Sequence, residues 1–229
     1  MRIPMPMPNP RLGAIFRVEN VFVDMTRYHY FSWRRLAEEL GVPFTVEDND
    51  RMRGIGTLRS LDLLLEKGGL EVSLDDKHEL CSRKLAWLVE YLRLIGPADL
   101  LTGARELLQT LRSQRVPIAV LVTLPETALV LARLGIVGSF DAILDPSSGL
   151  QISPSPDDYR KAAEAMDLEP EDCLAFETTA EGISAAHEAG LPVVGIGPRD
   201  RLPQADRVVS GLWSFQPQDW FQPVKEAVR

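Results

Sequence analysis

Apolar positions along this chain change their spacing from one segment to the next, and each spacing predicts an element. Leu12-Gly13-Ala14-Ile15-Phe16 is a continuous apolar run and predicts a buried strand. Over residues 28–40, Trp33, Leu36, Ala37 and Leu40 recur at helical spacing, and Gly41 is placed to stop that helix. From about residue 48 to 96 there is no good strand. Short helices are expected around residues 60–67, and a longer one over about 74–94 with Leu80, Ala86, Trp87 and Leu88 as its apolar positions. Residues 25–96 therefore read as an all-helical insertion.

After Gly96-Pro97 the pattern alternates. Helices are expected over 104–112, 126–134, 156–166 and 180–189, with strands at 117–122, 142–144, 173–176 and 193–196 and a short last strand at 207–209. Such alternation predicts an α/β core with a parallel sheet covered on both faces, built from residues 11–24 and 97–229. Ligands of these sheets bind beyond the carboxyl ends of the strands, so the residue after each strand is where chemistry belongs.

Composition narrows the function classes. The 229 residues can bury one full core and carry a smaller appended domain, and 45% hydrophobic with 25% charged residues excludes a disordered chain. The longest apolar runs, such as residues 116–124, are too short to span a membrane. A net charge of −8 argues against nucleic acid or anionic membrane as partners, leaving small molecules and proteins. Cys81 and Cys173 have no metal-ligand or disulfide spacing and read as buried apolar residues. Residues 1–10, MRIPMPMPNP, carry four prolines and no continuous apolar segment, so a flexible tail on a cytoplasmic protein is expected.

The strand ends, together with "YHYFSWRRLAEELGVPF", "RGIGTLRSLDLLLEKGG", "FDAILD", "SPDDYRKAAEAM", "CLAFE" and "EGISAAHEAGLPVVGIG", resemble the haloacid dehalogenase superfamily, in its β-phosphoglucomutase-like branch. The resemblance runs from Arg11 to about Gly211. It implies a Rossmann-like core with a helical cap, and a magnesium-dependent phosphatase or phosphoglucomutase ancestry. It also marks four motifs, and this chain departs from each.

The family's first motif is an aspartate nucleophile that also binds magnesium, followed two residues on by an acid/base aspartate. In "AIFRVENVFVD" those positions hold Arg17 and Glu19. A guanidinium stays protonated, offers no nucleophilic lone pair and repels a magnesium ion, so Arg17 cannot do that work. Glu19 keeps acid/base chemistry but has no nucleophile to assist. Arg17 is assigned to the site because the motif continues unbroken through Val21 and Asp24; the other reading is a surface arginine after a strand.

The second motif supplies a hydroxyl for the phosphate. Val122 stands there, and Thr123 reaches the site only if a bulge or turn offsets the one-residue slip. At the third, Ser153 replaces a lysine while Pro154 and Pro156 remain, and a neutral hydroxyl cannot supply the missing charge. At the fourth, Glu177 survives and Thr178 takes the second acidic place, so tight magnesium binding is not expected. Arg17 paired with Glu177 or Glu19, within about 3 Å, would neutralise a metal-free acidic cluster. Drift at an unconstrained site is the alternative.

In the cap, the resemblance places His29, Trp33, Lys84 and Arg53 at ligand-facing or hinge positions, with Thr57 where the family has an arginine. His29 reads equally as a hydrogen-bonded residue at the cap–core junction, Trp33 as core, and Lys84 as a solvated helix charge. His78 and His187 read as helix-surface residues, and the pairs Glu38-Glu39 and Asp75-Asp76 as solvated faces. Trp213, Phe215, Trp220 and Phe221 either pack on the core or meet a partner.

Three functions follow. The first is a pseudoenzyme kept for binding, regulation or assembly, with an unknown protein partner or small anionic ligand. The second is a residual phosphatase working through Glu19, Thr123 or Glu177. The third is a sensor whose cleft draws positive charge from Arg17, Arg53 and Lys84.

Overall fold

The computed structural model describes residues 12–52, 55–122, 125–145 and 154–221. The sheet has six strands, β1 (Gly13–Arg17), β2 (Ile118–Leu121), β3 (Ala142–Leu144), β4 (Cys173–Glu177), β5 (Val193–Ile196) and β6 (Arg207–Val209), in the order β3-β2-β1-β4-β5-β6. Every pairing is parallel. The four inner strands β2, β1, β4 and β5 are buried on both faces, which is why their sequences are apolar runs rather than alternating ones.

Among the described residues eight α-helices accompany them: α1 (Thr26–Glu39), α2 (Val46–Arg51), α3 (Thr57–Gly68), α4 (Leu74–Leu92), α5 (Ala104–Ser113), α6 (Pro125–Leu134), α7 (Pro156–Glu164) and α8 (Ala180–Glu188). The chain divides into two compact units, one formed by Met1–Val23 with Gly96–Arg229 and the other by Asp24–Ile95. The first contains the sheet with α5 to α8. Its core packs Ile15, Ala119, Leu121, Tyr159, Ala162, Ala175, Ile183 and Val193 together.

The second unit is α1 to α4 around Trp33, Leu36, Leu61, Leu64 and Leu80. Gly41 ends α1 with φ of +69°, the left-handed conformation glycine adopts without strain. Helix α2 lies in a stretch where no helix was expected. Its six residues, VEDNDR, have no apolar period, and it is started by a reciprocal cap in which Thr45 Oγ1 accepts from the Asp48 N–H and Asp48 accepts from the Thr45 N–H. Asp75 and Asp76 are exposed as expected, and Asp76 also accepts from the Ser73 N–H and hydroxyl, capping the start of α4. Glu38 and Glu39 make surface ion pairs with Arg34 and Arg83.

Cys81 and Cys173 are both buried and unbridged. In the aromatic tail, Phe215, Trp220 and Phe221 are buried, with Phe215 edge-on to Phe176 at 5.0 Å between ring centroids. Trp213 is 62% exposed and does not join them.

Candidate functional site

Sheet order brings the chemistry of the α/β unit together. Strand β1 lies between β2 and β4, and Phe16 pairs with Phe176, so Arg17 and Glu177 are the next residues on neighbouring strands. Arg17 also pairs in register with Leu121, which puts Val122 one step beyond it. After Arg17 the chain turns sharply through Asn20, whose φ is +59°, a conformation asparagine tolerates better than most residues.

Glu177 is fully buried, and three groups hold its carboxylate. The Tyr159 hydroxyl donates to Oε1, the Thr178 N–H donates to Oε2 at 3.2 Å, and Arg17 Nε lies 3.7 Å from Oε1. The carboxylate also rests against Gly182 in the first turn of α8, where any Cβ would collide with it. Thr179 caps that helix by accepting from the Gly182 N–H at 3.1 Å, so the helix amides near Glu177 favour negative charge.

The Arg17 side chain is 12% exposed. Burial pulls its pKa down, but Glu177, then Glu19 and Tyr159, outweigh burial and hold the guanidinium above its ordinary value. Burial pushes the Glu177 carboxyl up, against the opposing pull of Arg17. Burial and then Glu177 hold the Tyr159 hydroxyl well above its usual range, so it stays a donor. Arg17 Nη1 is buried without a hydrogen-bond partner among the described residues.

The expected Arg17–carboxylate pairing is therefore present as an ion pair, but at 3.7 Å it is looser than the 3 Å hydrogen bond anticipated. Tyr159 takes the close place at Oε1 and was not singled out from the sequence. The available signal was its position in the first turn of the helix that "SPDDY" starts, three residues after Pro156, where a core residue is the ordinary reading. Val122 is buried, with its N–H donating to the Leu144 carbonyl, and brings no polar side chain. Thr178 contributes its backbone N–H. Thr123, Ser153 and Arg53 lie outside the described residues.

These groups fit a divalent cation poorly. Magnesium takes hard oxygen ligands in an octahedral set, whereas here both Glu177 oxygens accept protein hydrogen bonds and a fixed cation lies alongside. Among the described residues no group of three or more His, Cys, Asp or Glu side chains is arranged to hold a metal.

The helical unit holds a separate cluster. Lys84 on α4 is only 1% exposed, which corrects its reading as a solvated charge. Its Nζ lies 3.0 Å from His29 Nδ1 on α1 and 4.9 Å from the centre of the Trp33 ring. Burial lowers the Lys84 pKa to about 7. Burial, and then Lys84, lower that of His29 to about 3. His29 is thus neutral and accepts from the lysine through Nδ1. No carboxylate is within ion-pair distance of Lys84 among the described residues. Thr57, half-buried, opens α3 and carries no charge. His78 and His187 are exposed, and His187 pairs with Asp206 at 2.9 Å.

Known proteins resemble this chain over most of its length. It is 34% identical over 199 residues to the β-phosphoglucomutase of Bacillus subtilis (strain 168), covering 86% of this chain and 88% of that one. A phosphorylated carbohydrates phosphatase of Thermotoga maritima is 26% identical over 181 residues, 78% of this chain and 82% of the relative. Among solved structures, a β-phosphoglucomutase from Clostridium difficile superposes with a TM-score of 0.77 at 28% identity, covering 90% of this chain and 93% of that one. With the haloacid dehalogenase-like hydrolase model matching residues 14–190, the chain belongs to that family.

Proposed function

We propose that this protein is a β-phosphoglucomutase-like member of the family that no longer transfers phosphoryl groups and serves a binding, regulatory or assembly role in the cytoplasm. One observation carries this reading: at the end of β1, where the family motif has its nucleophilic aspartate, a largely buried Arg17 is paired with Glu177. Phosphoryl transfer depends on positioning and on neutralising the phosphoryl charge. A strand end occupied by a guanidinium that already serves two glutamates supplies neither a nucleophile nor a metal seat.

The test is direct. Purified protein with magnesium is expected to leave generic phosphomonoesters and glucose phosphates unchanged. Magnesium-dependent turnover that disappears in Glu19→Ala or Glu177→Ala would overturn the proposal and make the protein a residual phosphatase.

A small anion is the ligand class best supported for the binding role. Lys84 is a buried amine whose polar partner is a neutral histidine, so an arriving anion would compensate a charge that burial disfavours. Saturable binding of phosphate or a sugar phosphate in the presence of a chelator, lost in Lys84→Met, is expected by calorimetry. Equal binding by the variant would exclude Lys84 as the anion's partner.

A further inference from the structure

We infer that Arg17 is the resident cation of the α/β site: its guanidinium is the fixed counter-ion of Glu177, standing where a divalent ion would otherwise be needed, and it makes the folded protein independent of metal. The inference concerns the same site as the proposed loss of catalysis, and rests on that reading only in taking the site to work without a divalent ion.

Four observations converge. Arg17 is largely buried, unlike a surface arginine that happens to follow a strand. Glu177 is fully buried, and isolated buried carboxylates are strongly disfavoured unless paired and hydrogen-bonded. Its receptacle suits an anion, with the Tyr159 hydroxyl and the Thr178 N–H both donating to it. Gly182 gives it room, since a side chain there would occupy the carboxylate's place. An arginine suits this place better than a lysine would, because a guanidinium is more weakly hydrated than an ammonium and is less costly to bury. A residue left by unconstrained drift has no reason to be matched by a buried partner on the next strand, a second hydrogen bond from α7 and a glycine in α8.

The experiment is a double-mutant cycle of Arg17→Ala, Glu177→Gln and the two combined, followed by thermal and urea unfolding in a chelator and again with millimolar magnesium. Arg17→Ala leaves the buried Glu177 without its counter-ion and is expected to lower Tm by roughly 6 °C or more, whereas Glu177→Gln leaves Arg17 facing Glu19 and is expected to cost less. The double variant should be at least as stable as either single one, because both charges are gone. Methylguanidinium is expected to raise the Tm of Arg17→Ala above a sodium chloride control of equal ionic strength while leaving the wild type unmoved. Should Arg17→Ala not accumulate as folded protein, Arg17→Met keeps the stem and removes the charge. Wild-type protein needs no variant: its Tm should be the same in chelator and in magnesium.

Additive losses in the cycle, an Arg17→Ala protein as stable as wild type, or a wild type stabilised by magnesium beyond the ionic-strength control would each overturn the inference. Turnover of a phosphate ester by the wild type would instead refute the proposed function and leave the cycle's outcome standing. The two failures are therefore distinguishable.

Discussion

Lys84 Nζ sits 3.0 Å from His29 Nδ1, a contact between α4 and α1 made by two side chains that can each carry a proton. They cannot both be charged at that distance in a buried setting, and burial lowers Lys84 to about 7 and His29 to about 3, so the lysine keeps its proton to higher pH. While Lys84 is protonated it donates to Nδ1 of the neutral His29, whose own hydrogen is then on Nε2. The Trp33 ring at 4.9 Å adds a cation–π contact to the ammonium.

A pH dependence of stability follows from this pair. Between about 6.5 and 3 the unfolded chain protonates His29 while the folded chain does not, so stability is lost as pH falls through that window. Between about 7 and 10.5 the unfolded chain keeps the Lys84 proton that the folded chain releases, so this contribution to stability grows as pH rises. The limiting slope for one group is about 1.4 kcal/mol per pH unit. Urea unfolding across pH should show the alkaline rise in wild type and its disappearance in Lys84→Met, which is also expected to be more stable at neutral pH by about 1–3 kcal/mol. Parallel curves for the two proteins would rule out Lys84 as the source.

Tyr159→Phe removes the hydroxyl that donates to Glu177 and leaves a buried charged acceptor short of one bond. A loss of about 1.5–3 kcal/mol in unfolding free energy is expected, the range for hydrogen bonds to charged groups. The loss should shrink to about 0.5–1.5 kcal/mol in a Glu177→Gln background, where the amide oxygen still accepts but carries no charge, and the same denaturation curves read it. An equal loss in both backgrounds would show that the hydroxyl acts elsewhere.

Gly182→Ala sets two effects against each other. Helix propensity alone favours alanine by about 1 kcal/mol in a helix interior. Here the new methyl would enter the space of the Glu177 carboxylate, and overpacking a tight interior costs about 1–3 kcal/mol or more. Net destabilisation is expected, turning to stabilisation when Glu177 is shortened to alanine in the same protein. Thermal unfolding of the single and double variants decides it.

Restoring the motif residues together, Arg17→Asp, Glu19→Asp, Val122→Ser, Ser153→Lys and Thr178→Asp, is expected to bring back magnesium binding and slow phosphatase activity, while no single reversion does. Groups that act as one catalytic unit are strongly non-additive. Arg17→Asp alone should be destabilised in a chelator, because it places a second carboxylate beside a buried one. Calorimetry with magnesium and a phosphate-release assay on the five single reversions and the combined protein check this, and activity in a single reversion would show that the site is less degraded than its residues suggest.

What was legible in the sequence was whatever depends on near neighbours along the chain. Ile118–Leu121, Cys173–Glu177 and Val193–Ile196 form strands where apolar runs predicted them, because strands buried in a parallel sheet need apolar side chains in succession. The motif positions came from the family resemblance instead, and of them Arg17, Val122 and Glu177 stand at or just after a strand end. Helix α2 escaped because only Val46 in it is apolar, and it is specified by its Thr45–Asp48 cap rather than by a period. Tertiary structure alone decided what the charges do. Arg17 meets Glu177 across 160 positions of chain because β1 and β4 are neighbours in the sheet, Tyr159 reaches the same carboxylate from α7, and Lys84 meets His29 from a different helix. Periodicity reports that a position is buried, but the partner a buried charge finds is set by which elements pack together, and that is a property of the fold.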